Sequence, residues 1–164
     1  MMFKKIAAAA VLATLAASSF AATPGVYAGL DVGSTKLDGV SGHETSFGGF
    51  VGYTFTQNFA AELGYRRLGK WDFAGGDVKA DQTALSVVGT LPLSNGFNVF
   101  ARLGYNNIEV KANGVGGSFS GNTNGGLYGV GVGYTFAPNI AARLEVQKPS
   151  SDSTNLGVSV VYSF

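Results

Sequence analysis

The sequence has no cysteine, a single histidine, four prolines and few charges, and each shortage narrows what the chain can be. Without cysteine there is no disulfide framework, thiolate metal site or cysteine nucleophile. Eleven basic and ten acidic residues give a formal net charge of +1, and no basic tract outside the N-terminus exceeds Arg66-Arg67, so nucleic acid has nothing to bind. With 46% hydrophobic residues and 25 glycines in 164 positions, the composition favours one glycine-rich folded domain.

Residues 1–21 have the pattern of a secretory signal peptide. Lys4-Lys5 precede an apolar stretch from Ile6 to Ala17, and Ser19-Phe20-Ala21 supplies small residues at the positions that a signal peptidase reads. We expect cleavage after Ala21, which leaves a barrel domain over residues 22–164. The apolar stretch is too short for a helix that crosses a bilayer, which needs about 20 residues. Any membrane role must therefore use strands.

A hairpin repeat of about 40 residues organises the rest of the chain. Val51-Gly-Tyr-Thr-Phe55 recurs as Val132-Gly-Tyr-Thr-Phe136, and the residues that follow also match, with a partial third copy at Asn98-Val-Phe-Ala-Arg-Leu103. Each copy follows a short turn signal, at 56–58, 94–96 or 137–139.

Period-two alternation predicts eight strands, separated by three tight turns and four longer connections. The strands are predicted at 25–37, 43–56, 58–72, 80–93, 96–112, 122–137, 139–149 and 153–164. The longer connections are predicted at 38–42, 71–79, 113–121 and 150–152. An even number of strands, with short turns at one end and longer polar loops at the other, predicts an all-β fold, an eight-stranded antiparallel up-and-down transmembrane β-barrel.

The alternation also separates an apolar face from a face of small residues that carries the charges. The predicted lumen residues are Asp31, Glu62, Arg102, Arg143 and Glu145. A soluble barrel places its large apolar set inside, whereas a membrane barrel places it outside, against lipid. Aromatics at the tight-turn end and on the last strand favour the membrane barrel, because they form an interfacial girdle there: Tyr53, Phe55, Phe59, Phe97, Tyr134, Phe136, Tyr162 and Phe164.

Three charged residues occupy equivalent places in the repeat. Glu62, Arg102 and Arg143 each lie four residues beyond the asparagine that opens the copy, so we expect them at one height in the lumen. An unpaired ion there would cost several kcal/mol, which predicts Glu62 bridged to Arg102, Arg143 or both. Asp31 and Glu145 are expected in the layer above, and the five residues form either a structural plug or a gated conducting path.

These motifs resemble the transmembrane domain of the outer membrane protein A family. The resemblance is densest in Phe50-Val-Gly-Tyr53, Glu62-Leu-Gly-Tyr65, Arg102-Leu-Gly104 and Ala142-Arg-Leu-Glu145. It implies that Glu62 and Arg143 match the pair that closes the lumen, with Arg102 and Glu145 alongside. A second charged pair of the family falls on Val88 and Gly133 here, and we expect no counterpart of the family's separate peptidoglycan-binding domain.

The same resemblance implies further partners. Tyr162 and Phe164 are similar to the terminal signal read by the barrel-assembly machinery, although Ser159 stands where that signal usually has glycine. We expect a monomer in contact with outer-membrane lipid, without nucleic acid, cofactor or metal. We also expect an envelope-structural or small-solute pore role in the outer membrane.

Two other classes of function compete with that role. A surface adhesin or receptor would use outward loops, such as 113–121 with Phe119 or 71–79 with Trp71 and Phe73. A lipid-modifying enzyme would need His43, but adjacent strand residues point to opposite faces, so His43 and Glu44 do not share a site. We therefore expect a protein that is not an enzyme.

Overall fold

A computed structural model describes residues 24–37, 43–73, 76–114, 117–150 and 153–164. The predicted signal peptide and the connection 38–42 lie outside the described residues. Eight strands make up almost all of the described chain. They are β1 (Gly25–Leu37), β2 (Glu44–Thr56), β3 (Phe59–Phe73), β4 (Gly76–Pro92), β5 (Phe97–Gly114), β6 (Gly117–Ala137), β7 (Ile140–Ser150) and β8 (Ser153–Ser163).

The strands form a closed barrel in which every neighbour in sequence is an antiparallel neighbour in space. Closure is made by β1 and β8, whose register runs from Tyr27 opposite Ser163 to Leu37 opposite Ser153. This confirms the prediction of an eight-stranded up-and-down barrel. The described residues contain no helix long and apolar enough to cross a membrane.

Three tight turns join the strands at one end of the barrel. They lie at 57–58, 94–96 and 138–139, where the sequence predicts them. In the second turn Asn95 and Gly96 adopt positive φ angles of 59° and 81°, which asparagine and glycine tolerate better than other residues. Asn58 fastens the first turn to β4, because its side-chain Nδ2 donates to the carbonyl of Thr90 at 2.9 Å.

Two predicted loops are wrong, because most of their residues belong to strands. Residues 71–73 and 76–79 pair across β3 and β4, and residues 117–121 of β6 pair with β5. The glycine, serine and asparagine content of 113–121 suggested a loop. Strand pairing, however, depends on hydrogen bonds between backbone groups. A strand of polar residues in water can therefore pair with its neighbour without an apolar face.

The barrel is apolar outside and polar inside. On β6 the outward side chains from Tyr128 to Phe136 are exposed, and β8 presents Leu156 to Tyr162 in the same way. Buried polar and charged residues lie within the barrel, among them Asp31, Glu62 and Arg102. This is the reverse of a soluble barrel, because lipid rather than water solvates the outer surface.

Aromatic rings also enter the lumen, where each lies over a glycine of the next strand. Tyr27 is opposite Gly52 in the β1–β2 register, and Gly29 is opposite Phe50. A Cβ built on Gly29 or Gly52 would collide with the ring of its partner. Glycine at these positions therefore makes room for rings that fill the lumen toward the tight-turn end.

Candidate functional site

Glu62 on β3 is the centre of an ion-pair network across the lumen. Its side chain is 0% exposed, and its Oε2 lies 2.6 Å from Arg102 Nη1 on β5. Its Oε1 lies 2.7 Å from Arg143 Nη1 on β7, on the far side of the ring. Tyr27 adds a third contact, because its hydroxyl donates to Glu62 Oε1 at 2.7 Å. One carboxylate thus connects strands β1, β3, β5 and β7 across the barrel.

Arg102 is shared between two carboxylates. Besides Glu62, it pairs with Glu145 of β7, with Nε 2.7 Å from Oε1. Its Nη2 donates to Glu145 Oε2 at 3.2 Å, which makes this pair bidentate, and its Nη1 also donates to Ser86 Oγ at 2.9 Å. Such paired, charge-assisted bonds are the stronger class of hydrogen bond and fix the guanidinium in one orientation.

Arg143 has a different environment, because three aromatic rings lie close to its guanidinium group. Its Cζ lies 5.3 Å from the centroid of Tyr27, 5.7 Å from that of Phe50 and 5.4 Å from that of Phe100. A guanidinium within about 6 Å of an aromatic face is attracted by the ring quadrupole. Glu62 is the carboxylate partner of Arg143 among the described residues, and the three rings enclose the rest of the group.

Asp31 faces the lumen, but it does not join the Glu62 cluster directly. Its Oδ1 lies 2.6 Å from Arg66 Nε, an ion pair between β1 and β3. Arg66 is a lumen residue that was not predicted from the sequence. The alternation of β3 could have predicted it, because Arg66 follows Glu62 and Gly64 at every second position and therefore lies on the same face. Among the described residues, Arg66 is the third arginine in these lumen ion pairs, whose carboxylates are those of Asp31, Glu62 and Glu145.

Gln147 links the two clusters. Arg66 Nη1 donates to Gln147 Oε1 at 2.6 Å, and Gln147 Nε2 donates to Glu145 Oε1 at 3.3 Å. Between the clusters lies a cavity of about 30 Å³, lined in part by Asp31, Arg66, Gln82 and Arg102. This volume is enough for a small number of water molecules but not for a continuous aqueous channel.

The positions that the family resemblance singles out for a second charged pair are neutral here. Val88 is buried in the lumen, and a Cβ on Gly133 would meet the side chain of Asn98. The described part of the lumen therefore has one set of ion pairs around Glu62 and a second around Arg66.

The predicted girdle residues lie on the outer surface at the tight-turn end. Seven of the eight are exposed, and Phe59 is half-buried. Several pack against one another, with ring centroids of Phe97 and Tyr134 4.7 Å apart and those of Tyr162 and Phe164 5.1 Å apart. Phe164 is the most exposed of the set, at 80%. Their contact with lipid and with the assembly machinery stays a prediction.

His43 lies immediately before β2 and is exposed. No group of three or more metal-ligating side chains occurs within the part of the chain that the structure describes. An apolar outer wall around a charged, filled lumen is the architecture of a β-barrel membrane protein.

Comparison with known families is consistent with that class. The family model described as "Outer membrane protein beta-barrel domain" matches residues 7–164, and the chain belongs to this family. No curated protein matches the sequence significantly.

Solved structures of small barrels superpose on the whole fold. Neisserial surface protein A is 15% identical with a TM-score of 0.70, and the match covers 89% of this chain and 100% of that one. The N-terminal barrel domain of Pseudomonas aeruginosa OprF is 15% identical with a TM-score of 0.65, covering 84% and 97%. Ail, the attachment invasion locus protein of Yersinia pestis, is 16% identical with a TM-score of 0.61, covering 86% and 97%. At these identities the likeness concerns the fold.

Proposed function

We propose that this protein is an integral outer-membrane barrel with an envelope-structural role, whose lumen is closed at rest by the ion pairs of Glu62. The observation that carries the proposal is the bridge from β3 to both β5 and β7, with Glu62 Oε1 and Oε2 2.7 Å and 2.6 Å from two arginines. Small solutes pass only when these pairs open. The predicted signal peptide, residues 1–21, directs export, and Tyr162 and Phe164 engage the assembly machinery.

The packing around Glu62 supports a closed lumen rather than an open pore. The carboxylate is buried, its two arginines are mostly buried, and Tyr27, Phe50 and Phe100 occupy the space around Arg143. Separating a buried ion pair leaves both charges without a partner and poorly solvated, so spontaneous opening is rare. Permeation, where it occurs, is expected to be brief and infrequent.

The test is planar-bilayer conductance of the refolded barrel, residues 22–164, beside Glu62→Ala and Glu145→Gln. We expect rare, short openings in the unmodified protein and more frequent openings in Glu62→Ala, because both bridges to Arg102 and Arg143 are lost. Glu145→Gln is the matched control, since it removes one contact of Arg102 and leaves both Glu62 bridges in place. Equal conductance in all three proteins would overturn the closure.

A second candidate function is surface attachment, for which the observation is the length of β4, β5 and β6. These strands run to Gly76, Gly114 and Gly117, beyond the end of β7 at Ser150. Among proteins of similar fold, one is named for attachment and invasion. Binding of the refolded protein to host cells or matrix, compared with a variant lacking residues 113–121, tests this candidate. Unchanged binding would reject that segment as the contact.

A further inference from the structure

A second layer of side chains crosses the lumen beyond the Glu62 cluster, on the side away from the tight turns. Three members of this layer are equivalent in the hairpin repeat, because each lies four residues beyond Glu62 or its counterpart in another copy: Arg66, Asn106 and Gln147. At roughly 3.3 Å per residue the two layers are about 13 Å apart along the strands. The repeat that gives the first layer a common height therefore gives one to the second layer as well.

Asn155 of β8 holds this outer layer together. Its side-chain Nδ2 donates to Thr35 Oγ1 of β1 at 2.8 Å and to Ser46 Oγ of β2 at 2.7 Å. Its Oδ1 accepts from Arg66 Nη1 of β3 at 3.1 Å. The amide thus uses both donor hydrogens and its acceptor, and Asn155 is only 1% exposed. This neutral side chain connects four strands, as the Glu62 carboxylate does in the other layer.

The rest of the cross-section is spanned by bonds that reach β5 and β7. Asn106 of β5 donates through Nδ2 to the carbonyl of Pro149 on β7 at 2.7 Å, across the lumen side of β6. Gln147 of β7 accepts from Arg66, and both Asn106 and Gln147 are buried. Leu127 of β6 is buried beside them and lines the same cavity. Side-chain bonds of the outer layer therefore join β1, β2, β3, β5, β7 and β8.

The cavity of about 30 Å³ lies between the two layers. Arg66 and Gln147 of the outer layer line it, and so does Arg102 of the Glu62 cluster. Gln82 also lines it, and the buried Nε2 of Gln82 has no acceptor among the described residues. Water is the usual partner of such a buried donor. The cavity is therefore suited to a small hydrated chamber with a layer of bonded side chains at each end.

We propose that the Asn155 layer is a second closure of the lumen, in series with the Glu62 closure, so that a solute has to pass both layers and the chamber between them. The inference rests on the proposed function, because it adds a barrier to the same pathway. The neutral bonds from Asn155 to Thr35 and Ser46 are weaker than the ion pairs of Glu62, so the outer layer opens more readily. The chamber limits the pathway to solutes the size of a few water molecules.

A single introduced cysteine can report on the outer closure, because the chain has no cysteine of its own. Ala84 of β4 lines the chamber and lies opposite Gly64 of β3 and Asn106 of β5, between the two layers. The experiment measures how fast Ala84→Cys reacts with methyl methanethiosulfonate, a small neutral thiol reagent, in the refolded barrel in micelles. Asn122→Cys, at an exposed position of β6, gives the rate of an accessible thiol, and the urea-unfolded chains correct for intrinsic reactivity.

Asn155→Ala removes the three hydrogen bonds that hold the outer layer. We expect Ala84→Cys to react far more slowly than Asn122→Cys. Asn155→Ala should speed the reaction of Ala84→Cys by roughly tenfold or more, the factor that one lost hydrogen bond produces in an opening equilibrium. Asn107→Ala is the matched control, because it removes an asparagine amide that bonds Asn124 on the outer surface, and the rate should stay unchanged.

An equal rate of Ala84→Cys with and without Asn155→Ala would overturn the second closure. Rapid reaction in the otherwise unmodified barrel would also overturn it when Glu62→Ala raises the conductance, because the Glu62 closure is then intact. Unchanged conductance in Glu62→Ala would instead refute the proposed function. If Asn155→Ala does not fold, as judged by the gel shift of the folded barrel, Thr35→Ala combined with Ser46→Ala removes both neutral acceptors and should speed the reaction in its place. An unchanged rate in that variant would count equally against the second closure.

Discussion

Replacing Glu62 by glutamine should destabilise the folded barrel by about 3–5 kcal/mol, the cost of removing one partner from a buried ion pair. Glutamine keeps the size of the side chain and can still accept a hydrogen bond from Tyr27. It cannot neutralise the two guanidinium groups that lie 2.6 Å and 2.7 Å from the carboxylate. Arg102 keeps Glu145, so most of the cost comes from Arg143, which is left among three rings without a carboxylate.

A double-mutant cycle isolates that contribution. Arg143→Met removes the charge that Glu62→Gln would leave unpaired, so the double variant should be more stable than the sum of the two single effects predicts. We expect a coupling energy of about 2 kcal/mol or more, within the range measured for close charge pairs. Urea unfolding in lipid vesicles, followed by the fluorescence of the single tryptophan, gives the four free energies.

Glu109→Gln is the matched control on the outer surface. Glu109 Oε1 lies 3.1 Å from Lys111 Nζ, but the two side chains are 45% and 50% exposed. An exposed pair of this kind contributes about 0–1 kcal/mol. A Glu62→Gln cost as small as that of Glu109→Gln would refute the reasoning, because it would mean that water solvates the lumen arginines and that Glu62 closes nothing.

Three further results are expected. Gly52→Ala should cost about 1–3 kcal/mol in the same unfolding assay, since its Cβ would displace the Tyr27 ring, and a wild-type free energy would contradict that packing. Val132→Arg, in the middle of the apolar run of β6, should lower the free energy of unfolding by roughly 2–4 kcal/mol, whereas Asn122→Arg, beyond that run, should change it little. Equal effects of the two variants would place the lipid boundary elsewhere. Deletion of Phe164 should slow insertion by purified assembly machinery, measured by the gel shift between folded and unfolded barrel, and an unchanged rate would remove it from the signal.

Some features of the lumen can be predicted from the alternation of residues along the sequence, and others cannot. Period-two alternation assigned Glu62, Arg102 and Arg143 to one face, and the repeat gave them a common height. Pairing across a barrel, however, depends on how strongly the strands tilt and how far their registers are staggered. Those quantities place Asp31 beside Arg66 rather than beside the Glu62 cluster, and no single strand contains that information.

The sequence by itself determined the number of strands, the tight turns and the side of the wall that each residue faces, because strand periodicity and turn chemistry are local properties. Only the tertiary structure decided which charges meet and where each strand stops pairing. The glycine-rich segment at 113–121 illustrates the difference, because its composition is that of a loop, whereas the backbone of residues 113–114 and 117–121 forms a ladder. Backbone pairing with β5 determines that outcome.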